Sequence, residues 1–195
     1  MKQTAGYGAG LGLVGNGARD WLAQAPSPEE KVPRKQLGTT GADIPIILMG
    51  GSQKFDPRYD KVLHRAFQLG VDYIDTAQMY AQGQSQKTIA PFIKQIGDRK
   101  KLWITSKVKL VGSRATPEGF KANLDKCRED LETDYLDMFF LHMITEERLL
   151  GPDYIRMAEE LKRAEKIRFF GFSCHDGNVA ELHAGPGETQ IGLGR

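Results

Sequence analysis

The chain has 195 residues, with 27 Lys and Arg against 25 Asp and Glu, a formal net charge of +2 and 40% hydrophobic residues. That balance describes a globular protein long enough to bury one substantial core, and it offers no basic field for a nucleic-acid partner. No run approaches the roughly 20 apolar residues of a membrane span. The two cysteines, Cys127 and Cys174, have neither metal-like spacing nor the density of a disulfide framework.

Residues 1–31 read differently from the rest. They are rich in Gly, Ala and Leu through Ala18, and Ala23-Gln24-Ala25 precedes Pro26. This resembles the apolar and cleavage regions of a bacterial export signal, in particular the part that follows the arginine pair of twin-arginine signals. The pair itself is missing. The segment is therefore expected to be signal-like or a disordered extension. The location is expected to be periplasmic if an arginine pair lies upstream, and cytoplasmic otherwise. Gly10-Leu11-Gly12-Leu13-Val14-Gly15 matches G-x-G-x-x-G, but no β-prone run precedes it, so it is not read as a dinucleotide fingerprint.

From Val32 the pattern is that of a folded domain, expected to cover residues 32–182. Residues 34–37, a Gly38-Thr39-Thr40-Gly41 turn and residues 44–49 predict a hairpin running into a first buried strand. Gly50 and Gly51 close that strand, where a backbone could approach a ligand. A helix over 57–69 places Val62, Leu63, Ala66 and Phe67 on one face, and Gly70 stops it. The second strand lies in GVDYIDTAQMY, residues 70–80. The helix at 85–96 turns Ile89, Phe92, Ile93 and Ile96 inward, and Pro91 should kink or shorten it.

The third strand is 102–108. Thr116 as N-cap and Pro117 start a helix with Phe120, Leu124, Cys127 and Leu131 on one face. The fourth strand is 135–141, a helix over 152–164 points Ile155, Ala158 and Leu161 inward, and the fifth strand is 167–173. A further helix begins at 178–182. Strand and helix alternate without a break, which argues an α/β parallel sheet. At 183–195 the periodicity collapses, so this stretch is expected to be an irregular tail that replaces the remainder of the domain.

One regularity points to a site. Asp75, Lys107, His142 and Ser173 each stand where a strand stops, at intervals of 32, 35 and 31 residues, the length of one strand plus one helix. In a parallel barrel, residues at the carboxyl ends of strands face one shared site. A carboxylate there needs a partner, and Lys107 is the candidate. Cys174-His175-Asp176 is not read as a metal site, because three consecutive residues cannot all face one ion.

Asp75-Thr76-Ala77 with Tyr80, ITSK ending at Lys107, TDYLDMFFLH ending at His142 and IRFFGFS ending at Ser173 together resemble the aldo-keto reductases. The resemblance implies a (β/α)8 TIM barrel, NADPH as cofactor and a small-molecule carbonyl substrate. It implies a catalytic tetrad of Asp75, Tyr80, Lys107 and His142, with Tyr80 as general acid and His142 orienting the carbonyl. Lys107, paired with Asp75, would lower the tyrosine pKa from its free value near 10. Ser173, Asp75 and Gly50 would serve the cofactor. The chain departs from the family pattern at Cys174, where a small polar residue is common, and at Gln84 and Gln86, where an acidic one is.

About 150 residues are folded by this reading, against about 250 for a complete eight-fold barrel. The barrel is thus expected to stop after about five βα units, with an incomplete cofactor site, weak or no turnover alone, and open sheet edges that favour self-association. Two rival functions remain open. One is a Schiff-base lyase using Lys107 as its amine; the other is a non-catalytic nucleotide-sensing or partner-binding module.

Overall fold

Five apolar runs pair in strict chain order in the computed structural model, which describes residues 31–175, with Tyr59 described by its backbone alone. The signal-like segment with its G-x-G-x-x-G run, the expected helix at 178–182 and the tail at 183–195 lie outside these residues. An antiparallel hairpin comes first, β1 (Arg34–Gln36) with β2 (Asp43–Pro45). Five parallel strands follow: β3 (Met49–Gly50), β4 (Tyr73–Asp75), β5 (Trp103–Val108), β6 (Leu136–Leu141) and β7 (Ile167–Phe172). Helices α1 (Asp60–Gln68), α2 (Ser85–Ile96), α3 (Pro117–Asp130) and α4 (Pro152–Arg163) fill the crossovers. A doubly wound sheet would reverse its strand order at a switch point. Unbroken succession is the order of a (β/α)8 wall.

Alternation along the strands builds two cores. On one face Ile74, Ile104, Phe139 and Leu141 meet the helices through Ile89, Phe92, Phe120, Leu124 and Leu161. On the other, Tyr73, Trp103, Met138 and Phe140 form the inner layer, and Leu37, Ala42 and Ile44 of the hairpin pack against it. The hairpin therefore covers the inner face near the strand starts and leaves the strand ends to the site. Thr116 caps α3 by accepting from Gly119 N at 3.0 Å, as its sequence predicts.

Several expectations are corrected. The first buried strand does not extend over 44–49: β3 is only Met49–Gly50, and Ile46 and Ile47 are 60% and 54% exposed. Val62 and Ile155 are exposed as well. The buried stripes run through Leu63 and through Tyr154, Ala158 and Leu161, and each outlier sits one residue, about 100°, off its stripe. Pro91 neither breaks nor shortens α2, whose 12 residues run to Ile96. Burial of Ile89, Ala90, Phe92 and Ile93 around it holds the helix despite the missing donor. No helix among the described residues is long and apolar enough to cross a membrane.

Candidate active site

The parallel ladder continues past the strand ends and aligns the site. Thr76 N donates to Thr105 O at 2.9 Å, Gln78 N to Lys107 O at 2.9 Å, His142 N to Val108 O at 2.8 Å and Ser173 N to Leu141 O at 2.8 Å. Neighbouring strands are thereby held level where the polar residues occur. With a side-chain period of two, Asp75, Lys107 and His142 share the inner face with Tyr73 and Phe140.

There the predicted residues meet. Lys107 Nζ donates to Asp75 Oδ1 at 2.5 Å and to Thr76 O at 2.9 Å, with Lys107 only 1% exposed. The same ammonium lies 5.0 Å from the Tyr80 ring centre, and that ring meets His142 edge to face, centroids 5.5 Å apart. Tyr80 thus links the pair to the imidazole. Ser173 sits just beyond β7 and accepts from Met143 N at 3.0 Å, so its own O–H is oriented elsewhere.

Backbone strain flanks two of these side chains. Ala81 and Gln82, directly after Tyr80, have φ of 49° and 57°, and Met143, directly after His142, has φ of 55°. Left-handed backbone at a non-glycine residue costs roughly 1–2 kcal/mol. Strain of this kind persists where the surroundings over-determine it, and it clusters at functional sites.

The electrostatics correct one expectation. The net direction for Tyr80 is upward: burial first, and then the negative charge of Asp75, hold the hydroxyl above its ordinary pKa. The ammonium that would oppose this is committed to Asp75 and Thr76 O and faces the ring. Burial pulls the Lys107 ammonium down, with Asp75 opposing, and pushes the Asp75 carboxyl up, with Lys107 opposing. His142 is pushed down to about 4 by burial and by the charges of Lys107, His175 and Lys109, so its ring is neutral near pH 7.

The donor set fits the reacting end of a nicotinamide cofactor. Asp75 Oδ2 and His142 Nδ1 are buried with no partner among the described residues, an acceptor and a ring nitrogen still to be satisfied. The Ser173 hydroxyl can donate to a carboxamide. Gly50 has open space where a side chain would stand. The glycine required by packing is instead Gly51, whose β-carbon would lie 2.9 Å from Asp75 O. Among the described residues no group of three or more His, Cys, Asp or Glu side chains is placed to hold a metal ion.

Sequence reasoning missed the groups behind the site. Thr76, Ser85 and Gln86 are all buried. Ser85 Oγ bonds Gly51 O and Thr76 Oγ1, and the Gln86 amide pairs with Ser106 Oγ at 3.0 Å. Their one signal was a pair of polar residues opening a helix whose next apolar residues, Ile89, Ala90, Phe92 and Ile93, are buried. Asp137 was missed too. It is a buried carboxylate at the opposite end of β6, and it accepts from Arg99, Arg168 and Ile104 N.

A model described as the Aldo/keto reductase family matches residues 48–184. The chain is 29% identical over 161 residues to the uncharacterized oxidoreductase YqkF of Bacillus subtilis, covering 75% of this chain and 50% of that one. It is 32% identical over 131 residues to methylglyoxal reductase YeaE of Escherichia coli, covering 66% and 43%. Among solved structures it resembles an aldo/keto reductase from Klebsiella pneumoniae in complex with NADP and acetate. There the identity is 25% and the TM-score 0.62, over 78% of this chain and 52% of that one. The chain spans about half the length of the curated relatives it matches.

Proposed function

The chain belongs to the aldo/keto reductase family, and on that premise we propose that its site reduces an aldehyde or ketone to an alcohol, with NADPH as reductant and Tyr80 as general acid. NADPH, when bound, supplies the hydride. Tyr80 donates its Oη proton to the carbonyl oxygen as negative charge develops there. Its raised pKa keeps the phenol protonated at neutral pH. Once the proton leaves, the Lys107 ammonium 5.0 Å from the ring centre stabilises the phenolate. Asp75 balances that ammonium, and neutral His142 offers a ring N–H that orients the carbonyl oxygen. Ser173 and the unsatisfied Asp75 Oδ2 would hold the nicotinamide end.

The observation that carries this reading is the unbroken contact from Asp75 through Lys107 to the Tyr80 ring and His142. Turnover by the 195 residues alone is expected to be slow, because the groups assigned here serve only the cofactor's reacting end. The test is NADPH oxidation with a panel of small aldehydes and ketones, followed by absorbance, for the chain and for Tyr80→Phe. A general acid contributes typically 10²–10⁴-fold, so Tyr80→Phe should lose at least 100-fold. Equal rates for the two proteins would overturn the assignment. NADPH binding with no Tyr80-dependent turnover would instead favour the binding module.

The Schiff-base alternative finds little support. Lys107 Nζ is buried and engaged by two acceptors, whereas a nucleophilic amine must reach its carbonyl. Borohydride trapping of a carbonyl compound on Lys107 would revive it.

A further inference from the structure

Behind the Asp75–Lys107 pair runs a buried relay of hydroxyl groups that the reaction does not itself require. Ser85, the first residue of α2, is fully buried. Its Oγ donates to Gly51 O at 2.5 Å, and a carbonyl can only accept. The serine's single proton is thereby used, so the 2.9 Å contact with Thr76 Oγ1 runs from the threonine hydroxyl to the serine oxygen. Gly51 N, in turn, donates to Asp75 O at 2.7 Å. One hydroxyl group thus ties the end of β3, the end of β4 and the start of α2 together.

Thr76 is where this relay meets the site. Its N–H is fixed on Thr105 O of β5, its side chain on Ser85, and its carbonyl accepts from Lys107 Nζ at 2.9 Å. The space is closed as well, since a β-carbon on Gly51 would stand 3.0 Å from Thr76 Cβ and 3.2 Å from Ser85 Oγ. The Thr76 peptide therefore has little freedom to turn while Ser85 is bonded to it.

The geometry points to Ser85 as a positioning residue: through Thr76 it aims the second acceptor of the Lys107 ammonium, and so sets how that ammonium is shared between Asp75 and the ring of Tyr80. Ser85 touches no reacting atom. The role rests on the reading of Lys107 as the partner of Tyr80, and it adds a residue whose contribution is geometric. Removing the hydroxyl leaves Gly51 O and the Thr76 hydroxyl short of a partner, and the Thr76 carbonyl free to turn away. An ammonium that loses an acceptor is less favoured in its charged form.

The test reads Lys107 directly, in the chain without cofactor. Lysine labelled with ¹³C at Cε gives a resonance for Lys107, assigned by its loss in Lys107→Met, that is followed against pH. The titratable groups facing Lys107 are Asp75, His142 and the Tyr80 phenol, and all are retained in every variant compared. Ser85→Ala and Thr76→Val should lower the Lys107 midpoint by about one unit or more, the scale of one charged hydrogen bond, whereas Thr76→Ser should hold it at the wild-type value. If Ser85→Ala does not fold, the Thr76 pair alone decides. A Lys107 midpoint unmoved in Thr76→Val, with only the melting temperature lowered, would overturn the role and leave Ser85 as scaffold. Absence of turnover would sink the enzymatic reading without altering this measurement.

Discussion

Gly171 and Phe140 lie opposite each other on β7 and β6, and a β-carbon on Gly171 would stand 2.7 Å from the phenyl ring. Phe140 is also the register partner of Lys107. The absence of a side chain on one strand thus decides where the ring on the next can rest, directly beside the strand that carries the ammonium. Overpacking of this kind typically costs about 1–3 kcal/mol. Gly171→Ala should lower the urea midpoint accordingly, and adding Phe140→Leu should recover part of the loss. An unshifted midpoint in the single variant would contradict this packing.

The buried pair should behave as a unit. Removing one partner of a buried ion pair strands the other and costs about 3–5 kcal/mol. Asp75→Asn and Lys107→Met are each expected to approach that range in denaturant unfolding. The double variant should be less destabilised than the sum of the two. Strict additivity would mean that the 2.5 Å contact contributes no coupling.

His142 should give stability a pH slope of definite sign. Its folded pKa is pushed down to about 4, while in the unfolded chain it returns to its ordinary value near 6.5. Above that value both states are neutral and the residue contributes nothing. As pH falls from about 6.5 toward 4 the unfolded state takes the proton first, and stability is lost across this window. The ring resonances of His142 should therefore titrate only near the lower end. His142→Gln should flatten the melting-temperature slope between pH 6.5 and 5. A midpoint near 6.5 in the folded chain would refute this.

Asp137 should matter for stability and not for chemistry. It holds Arg99 and Arg168 at 2.8 and 2.7 Å and the Ile104 amide at 2.9 Å, near the start of β6. Asp137→Ala takes the shared acceptor from Arg99, Arg168 and the Ile104 amide, but Arg99 keeps Thr133 Oγ1 and the Leu102 and Tyr135 carbonyls and Arg168 is half exposed, so about 1–3 kcal/mol should be lost. The Lys107 titration should stay in place. A shift there would show that the two ends of the strand are coupled.

The outer strands of the parallel sheet should promote association. Within the described residues β3 pairs only with β4 and β7 only with β6, and Ile46 and Ile47 lie exposed just before β3. Unpaired edges recruit further strands. Sedimentation should show concentration-dependent association that Ile47→Lys weakens, and a monomer at every concentration would count against it.

The strand-end residues were legible because polarity at that phase is costly unless it is used. Asp75 and Lys107 each interrupt an otherwise apolar run, and the repeat spacing showed that their strands are neighbours. Tyr80 was legible only by resemblance, since a tyrosine after a strand is in itself unremarkable in composition. The direction of its pKa was not legible at all. It depends first on how deeply the hydroxyl is buried and then on how near Asp75 lies, and neither leaves a trace in residue identity. Ser85 and Asp137 escaped for a related reason: a buried polar group looks like a surface one until its partners are known. Ile46 and Ile47 misled in the opposite sense, apolar in sequence but left more than half exposed.

Asp75 and Lys107 are 32 positions apart, the span of a single βα unit. Their meeting therefore requires only that two successive strands dock, with no contact between distant parts of the polypeptide. Closing so short a loop costs little chain entropy. The ammonium becomes buried only when β6 docks and sets Phe140 in register beside Lys107, so the pair is local in sequence but completed by the next unit of the wall.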